Sequence, residues 1–457
     1  MQSGQFNIIV IIFVLLFSII VGLIGFKTPP PAIVIFLVLA IFLIAFLRTD
    51  FALMILIFSM LFSPEFQFGA IGKRAIVLRM DDVFLLFVFL GWLAKMAFNK
   101  ELGLLKTTPV HKPILIYALV CIISTVFGIL RNYAKFQVSI FYLLKYFEYY
   151  LLFFIVTNNL KDKNQAKTFI FSLISVAFMI SVYGCIMHFR GVERVSAPFE
   201  GKSGEANTMG GYLVMMIAIA SGLVFNSKLF KEKLFLVIFL MFAFPALVFT
   251  LSRGSWLAFV PTMVTLIIFT RKGRKALLVC SLIIAILSPV ILPKFFYERV
   301  KVTFKYGQQY QVMGKKFKLE DSAAIRVITF RYAVQKFFKE PFLGYGVGSF
   351  LPVIDNQYAR IIVEVGLIGV LVFFWIIIAL FKKARSNLIA LKDDDLGSGL
   401  IAGFMAGLVG LLVHGISAET FILIRIMEPF WFLAAIAMVV PELRAPAQNE
   451  KLNGVSN

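Results

Sequence analysis

Charged residues are scarce in this chain. They make up 15% of its 457 residues, whereas soluble proteins carry about 25%. Hydrophobic residues account for 60%, and the mean hydropathy is +0.93. This composition excludes an ordinary soluble protein, and the apolar runs do not alternate as the strands of a membrane β-barrel do. The sequence therefore predicts an integral membrane protein built from helices.

Cysteine and histidine are also rare, with three residues of each. Cys121, Cys185 and Cys280 all lie in apolar runs, which argues against a disulfide framework. The histidines are too scattered to suggest a zinc site. The N-terminal segment lacks a basic region and an A-x-A-like cleavage site, so we expect a retained first helix and no cleaved signal.

Long apolar runs fill most of the chain. A membrane-spanning helix needs about 20 predominantly apolar residues. Because one run, 51–62, is short, we expect about 12 to 14 transmembrane helices in an all-α polytopic protein, with residues 1–457 forming a single transmembrane domain. The fourteen candidate spans are roughly 8–25, 32–47, 51–62, 83–98, 113–130, 140–157, 168–188, 208–225, 234–250, 254–270, 276–293, 359–381, 398–417 and 422–440.

Acidic residues are outnumbered, since 24 Asp and Glu stand against 45 Lys and Arg and give a net charge of +21. In a soluble protein this excess would suggest nucleic acid, but in a membrane protein the cytoplasmic loops collect Lys and Arg. Placing the N-terminus inside assigns 21 cations to cytoplasmic segments and ten to short outer gaps. We therefore expect cytoplasmic termini and no nucleic-acid partner.

One gap, residues 294–358, is much longer than the others and falls on the outer side. A structureless loop of this length is unusual and often functional. Within it, Ser322 to Lys339 carries apolar residues at near-helical spacing, with Arg326 and Arg331 between them. The pattern favours a short amphipathic helix on the lipid surface, and the alternative is a helix that roofs a site.

Two polar motifs precede the long loop on the outer side. Arg253, in the motif TLSRGSW, begins a span, and an ionisable group at the membrane boundary is a functional candidate. Anchoring to lipid phosphate is the alternative role. The outer gap from Arg190 to Asn207 mixes both signs of charge, as solvated loops also do.

A glycine-rich motif, FLGYGVGSF (342–350), ends the long loop. It resembles a phosphate-cradling run, but no βαβ unit surrounds it, which argues against a dinucleotide site. Asn356, Arg360 and Glu364 follow at intervals of four residues and share one face of a helix. We expect this face to point into the protein.

Other charged residues within spans suggest structural pairs. Glu419 and Arg425 flank the start of the last span, and Lys145 and Glu148 are three residues apart in a helix. We interpret both as structural pairs. The G-x-x-x-G motif at 403–407 is typical of helix packing.

In their order along the chain, these motifs resemble the O-antigen ligases and the Wzy-type O-antigen and exopolysaccharide polymerases. The resemblance covers most of residues 140–440. The segments that carry it are RVSAPFEGKSGEANTMGGYL (194–213), TLSRGSW (250–256), FLGYGVGSF (342–350), DNQYARIIVEVGLIG (355–369) and LVHGISAE (412–419).

The resemblance implies a multi-pass glycosyltransferase of the bacterial inner (cytoplasmic) membrane that serves cell-envelope polysaccharide biosynthesis. Its active site would lie on the periplasmic or extracellular side. Such enzymes polymerise or ligate glycans carried on undecaprenyl diphosphate, transferring them to an acceptor hydroxyl without a cofactor or a required metal. The implied partners are the lipid-linked glycan, an acceptor glycan or lipid, membrane lipids and a chain-length regulator.

The resemblance also assigns residue roles. Arg253 matches the arginine of the family's S-R-G motif, and Arg194 matches the arginine of the earlier outer loop. Both would hold the diphosphate, because Arg supplies planar, permanently charged donors. Ligases carry a His-Asn pair where this chain has Asp355-Asn356, so Asp355 would serve as general base or orient the acceptor sugar, and the departure favours a polymerase. The further substrate-binding residues implied are Asn356, Tyr358, Arg360, Arg326, Arg331 and Arg190.

The alternative function is a lipid-linked oligosaccharide flippase or polysaccharide exporter without transferase activity. Such transporters usually show internal repeats and a cationic cavity built from both halves of the chain. This sequence shows no convincing repeat, and its candidate groups lie at the outer ends of spans. An ion-coupled transporter has little support, because acidic pairs at mid-membrane are nearly absent.

Overall fold

A computed structural model of the chain describes residues 40–63, 65–71, 74–100, 105–198, 205–291, 308–312, 315–319, 321–349 and 356–443, together with positions 297 and 301. Residues 40–47 are helical. The helices that follow are α1 (Thr49–Phe62), α2 (Met80–Phe98), α3 (His111–Leu130), α4 (Phe136–Asn159), α5 (Lys163–Phe189), α6 (Ala206–Val224), α7 (Phe230–Phe249), α8 (Arg253–Phe269), α9 (Arg274–Ile291), α10 (Asp321–Lys339), α11 (Gln357–Ala390), α12 (Asp395–His414) and α13 (Ile424–Val439).

The helices follow the apolar runs of the sequence. Every candidate span from 51–62 onward falls on one of them, while span 8–25 and the first part of span 32–47 lie outside the described residues. Eight described helices are long and apolar enough to cross a membrane: α3 to α7 and α11 to α13. The prediction of an all-α polytopic membrane protein is confirmed.

Two antiparallel hairpins were not expected from the sequence. The first pairs β1 (Glu65–Ile71) with β2 (Arg74–Arg79). The second pairs β3 (Gln308–Val312) with β4 (Lys315–Leu319) inside the long loop. Both hairpins are short segments between helices. Alternation of apolar and polar residues over only five to seven positions is weak evidence for a strand, and the long apolar runs dominate the sequence pattern.

The polar segments between helices gather at two ends of the helix bundle. At one end, named here the site face, Arg131 pairs with Glu340 of the long loop at 2.7 Å. At the other end, named the opposite face, Lys163 pairs with Asp394. The sequence assigned the segments of the site face to the outer side of the membrane and those of the opposite face to the cytoplasmic side.

Close packing of α6 against α12 forms the centre of the bundle. A Cβ atom added to Gly403 would lie 2.7 Å from the carbonyl oxygen of Ala218, and one added to Gly222 would lie 2.3 Å from that of Gly399. Only glycine allows backbones to approach this closely, and such contact drives helix association in membranes. The interpretation of residues 403–407 as a packing motif is confirmed.

Candidate functional site

The turn between α12 and α13, residues 415–419, is the centre of the site face and is named here the central turn. His414 ends α12 just before it and is fully buried. Its Nδ1 atom shares a hydrogen bond of 2.7 Å with the hydroxyl of Thr420. Its Nε2 atom has no hydrogen-bond partner among the described residues. His414 thus holds the two sides of the turn together.

The first residues of α11 fasten this helix to the central turn. Asn356 caps the helix, because its side-chain oxygen accepts from the amides of Tyr358 and Ala359, both at 3.0 Å. Its amide group donates to the carbonyl of Ile416 at 3.1 Å. The hydroxyl of Tyr358 donates to the carbonyl of Leu412 at 2.6 Å. The structure therefore places Asn356 and Tyr358 in contacts that join two elements of the site face.

Arg360 lies in a buried ion-pair network. Its guanidinium donates to Glu364 at 3.1 Å and to Glu419 at 2.6 Å, and it lies 4.7 Å from the ring centre of Tyr142. Arg360 is 2% exposed. The expectation that the face shared by Arg360 and Glu364 points into the protein agrees with these contacts.

The described contacts of Arg425 do not match the expected pairing. Its guanidinium donates to the carbonyls of Leu61, at 2.8 Å, and Pro198, at 3.4 Å. Glu419 pairs with Arg360, because the start of α11 lies against the central turn. The closeness of Glu419 and Arg425 in the sequence suggested a local pair, but it gave no information about the distant partner, Arg360.

The glycine run of the long loop packs against α11 and does not form an open cradle. The amides of Tyr345 and Gly346 donate to the carbonyls of Val363 and Glu364, both at 2.9 Å. The amide of Gly348 donates to the Glu364 carboxylate at 3.1 Å. These amides are therefore used within the protein and position Glu364 beside Arg360.

Arg194 lies beside the start of α8 at a second part of the site face, named here the arginine corner, which also includes Arg253 as the first residue of that helix. Arg194 donates to the side-chain oxygen of Asn207 at 3.1 Å and to the carbonyl of Thr250 at 3.4 Å. The same oxygen of Asn207 accepts from the hydroxyl of Ser252 at 2.9 Å. Ser252 is the residue before Arg253 and caps α8. Asn207 and Ser252 were not assigned roles from the sequence.

The arginine corner abuts the central turn. A Cβ atom added to Gly254 would lie only 1.8 Å from the hydroxyl oxygen of Ser417. A Cβ added to Gly211, on α6, would lie 2.8 Å from the His414 ring. Glycines at these two positions therefore let α8 and α6 approach the turn closely.

Helix α10 covers part of this assembly. Ala333 of α10 is buried with Ala359 and Val363 of α11, and Arg326 lies close enough to His414 for its charge to act on the imidazole. These contacts favour the roofing helix among the two roles that the sequence left open. Arg331 on α10 is exposed, as is Arg190 at the end of α5. Asp355 lies outside the described residues.

Tyr345 fixes the end of α10 to the glycine run. Its hydroxyl donates to the carbonyl of Lys336 at 3.2 Å, and the Lys336 ammonium lies 4.7 Å from the centre of its ring. Burial, together with the negative charge of Glu340, raises the pKa of the Tyr345 phenol above its ordinary value. Tyr345 is therefore a neutral donor at physiological pH.

Comparison with known proteins bears on the segment that contains most of these residues. Residues 236–374 match the family model described as O-antigen ligase. No curated protein matches the chain. The family resemblance inferred from the sequence is confirmed over this segment, which runs from α7 through the long loop into α11. The match supports glycosyl transfer of the O-antigen ligase or polymerase type, with lipid-linked glycan and acceptor substrates.

The O-antigen ligase segment includes Arg253, Arg326, Arg331 and Arg360, while Arg190 and Arg194 lie before it. Asn207, His414 and Glu419 also lie outside it and reach the site through tertiary contacts. In the described part of the chain, His, Cys, Asp and Glu side chains form no group of three or more that could hold a metal ion.

A second buried cluster of charges lies beside the site face, outside the O-antigen ligase segment. Lys145 pairs with Glu148 at 3.5 Å, as expected, and also with Asp82. Nearby, Arg79 pairs with Asp81 and lies 3.8 Å from Glu428. The three acids Asp81, Asp82 and Glu428 were not assigned roles from the sequence, although each stands at or near the end of an apolar run.

The carboxylates of this cluster stabilise the positively charged form of Arg79. Burial alone would lower the pKa of the guanidinium, but Asp81 and Glu428 outweigh it and hold the pKa above its ordinary value. Arg79 also donates to the backbone carbonyl of Met60. The cation therefore ties α1, α2 and α13 together.

Proposed function

We propose that the chain is a glycosyltransferase that polymerises or ligates glycans linked to undecaprenyl diphosphate at the outer leaflet of the bacterial inner membrane. The observation that carries the proposal is that Asn207 links Arg194 to Ser252, the residue that precedes Arg253 in the O-antigen ligase segment. The site face would then be periplasmic or extracellular, and the termini would be cytoplasmic.

The arginine corner suits a diphosphate for two physical reasons. Two guanidinium groups supply planar donors that match phosphate oxygens. Arg253 also stands at the first position of α8, and the N-terminus of a helix favours negative charge. Both effects would stabilise the negative charge that develops on the departing diphosphate.

In the proposed reaction, the acceptor hydroxyl oxygen forms a bond to the anomeric carbon of the lipid-linked sugar. The bond between that carbon and the diphosphate oxygen breaks, and the diphosphate keeps the electron pair. The hydroxyl proton passes to Asp355, the proposed general base, which precedes the cap of α11. Arg326 and Arg331 on α10, together with Arg190, Tyr358, Asn356 and Arg360, are proposed to bind or frame the glycan.

The proposal is tested by transfer assays on purified protein with an undecaprenyl-diphosphate-linked glycan and an acceptor. The variants are Arg253→Ala, Arg194→Ala and Asp355→Asn, with the exposed Lys135→Ala of the same face as control. We expect Arg253→Ala to lower the rate by about 10²- to 10³-fold, the usual effect of losing one well-placed donor. The control variant should retain the wild-type rate.

Asn207 offers a further test, because it is a positioning residue for Arg194. We expect Asn207→Ala to lower the transfer rate and Asn207→Asp, which keeps an acceptor oxygen, to restore most of it. The site assignment would be disproved if Arg253→Ala, Arg194→Ala and Asp355→Asn all fold and all transfer at the wild-type rate. Movement of a labelled lipid-linked oligosaccharide across liposomes, with no change in glycan length, would favour a flippase.

A further inference from the structure

Three arginines line a hollow on the opposite face, far from the arginine corner along α8. Arg271 lies between α8 and α9, Arg274 is the first residue of α9, and Arg385 lies near the end of α11. The hollow has a volume of about 570 Å³. All three side chains are exposed. We name this feature the arginine hollow.

The arginine hollow differs from a neighbouring charged part of the opposite face. In that part, cations are matched with acids: Lys272 and Lys228 both pair with Asp395, and Lys163 pairs with Asp394. Within the described part of the chain, the three arginines of the hollow have no acidic partner. Their positive charge is therefore available to an anion from outside the protein.

The remaining wall of the hollow is apolar. It is formed by Ile268 and Phe269 at the end of α8 and by Leu388 and Ile389 near the end of α11. Ile268 is 56% exposed and Ile389 is 58% exposed. The hollow therefore has two surfaces for an amphipathic ligand. Its cations can bind a charged headgroup, and its exposed apolar side chains can contact the apolar part of the ligand.

A buried hydroxyl adds a further polar group. Thr270 lines the hollow and is 2% exposed, and its hydroxyl oxygen has no hydrogen-bond partner among the described residues. Buried polar groups are normally hydrogen-bonded.

We propose that the arginine hollow binds the phosphodiester headgroup of an anionic glycerophospholipid. Arg271, Arg274 and Arg385 bind the phosphate oxygens, and Ile268 and Ile389 contact the glycerol and the first part of the acyl chains. A free phosphate ion would leave this apolar wall without a role, which is why a lipid is the better match. The site is independent of the proposed transferase site, because it lies at the other end of the bundle.

The experiment measures lipid binding to the full chain in detergent by native mass spectrometry. The probes are phosphatidylglycerol, which is anionic, and phosphatidylcholine, which is neutral overall. We expect the wild type to prefer phosphatidylglycerol. The variant Arg271→Gln/Arg274→Gln/Arg385→Gln should lose at least about tenfold in apparent affinity for it, since several charge-assisted hydrogen bonds are removed.

The matched control removes three exposed lysines from the same face: Lys112→Gln/Lys231→Gln/Lys233→Gln. This variant should keep the affinity of the wild type. Equal binding of both lipids, or an equal loss in both triple variants, would overturn the proposal. Displacement of phosphatidylglycerol by inorganic phosphate at the same concentration would show a free-anion site and would also overturn it. Should the triple variant fail to fold, the single variant Arg385→Gln tests the same contact.

Discussion

The guanidinium of Arg360 donates to the carboxylate of Glu419 over 2.6 Å, although 59 residues separate them in the chain. This pair joins the first turn of α11 to the central turn. Arg360 also binds Glu364, so this one guanidinium pairs with two carboxylates. The arrangement of the site face therefore depends on one buried positive charge.

Replacing that charge should destabilise the fold strongly. We expect Arg360→Met to lower the free energy of unfolding by about 3–5 kcal/mol, because both Glu364 and Glu419 would lose the buried guanidinium that pairs with them. Thermal unfolding in detergent measures the change. The control is Lys163→Met, whose pair with Asp394 is partly exposed and should contribute no more than about 1 kcal/mol.

A rescue variant separates lost charge balance from lost packing. Adding Glu364→Gln and Glu419→Gln to Arg360→Met leaves no uncompensated charge, so part of the stability should return. Equal melting temperatures for Arg360→Met and Lys163→Met would contradict the buried network.

Gly366 interrupts α11 with a φ of +61°. A Cβ atom at this position would lie 2.4 Å from the carbonyl oxygen of Phe342, whereas at Gly191, with a φ of +90°, it would meet nothing within 4 Å. We expect Gly191→Ala to cost roughly 1–2 kcal/mol from the backbone conformation alone. Gly366→Ala should cost a further 1–3 kcal/mol or so, because the glycine run must shift.

The comparison of these two glycine variants is made by thermal unfolding under identical conditions. Both positions have positive φ angles, but Gly366 also has a ψ of −164°, so the difference combines the strain of that conformation with the contact between α11 and residues 342–344. A Gly366→Ala variant that melts with or above Gly191→Ala would show that this contact is absent.

The cluster around Arg79 predicts opposite effects for two neutral substitutions. Both carboxylate oxygens of Glu428 lack hydrogen-bond partners among the described residues, and the cluster also holds Asp81, Asp82 and Glu148. We expect Glu428→Gln to change stability by no more than about 1 kcal/mol, or to increase it, because it removes an excess buried charge. Arg79→Gln should lower it by about 3–5 kcal/mol.

Thermal unfolding in detergent compares the stabilities of Glu428→Gln and Arg79→Gln. Arg79→Gln leaves Asp81 and Glu428 uncompensated, so it must be the less stable of the two. The reverse order would mean that Glu428, and not Arg79, holds the cluster together.

The sequence predicted the local features well. Helices lie where the apolar runs lie, because a run of about 20 apolar residues can satisfy its backbone and remain in lipid only as a helix. The amphipathic segment from Ser322 to Lys339 forms α10 for a similar local reason. Arg194 and Arg253 were selected as candidates from their positions at span ends and from the family motifs.

By itself, then, the sequence determined the class of protein, the positions of its helices and the family of the O-antigen ligase segment. These depend on composition and on short motifs. Only the tertiary structure decided that Glu419 pairs with Arg360, that Asn207 joins Arg194 to Ser252, and that Arg79 meets Glu428. Such partners are determined by how the helices pack in three dimensions, and the separation of two residues along the chain does not reveal whether they will be in contact.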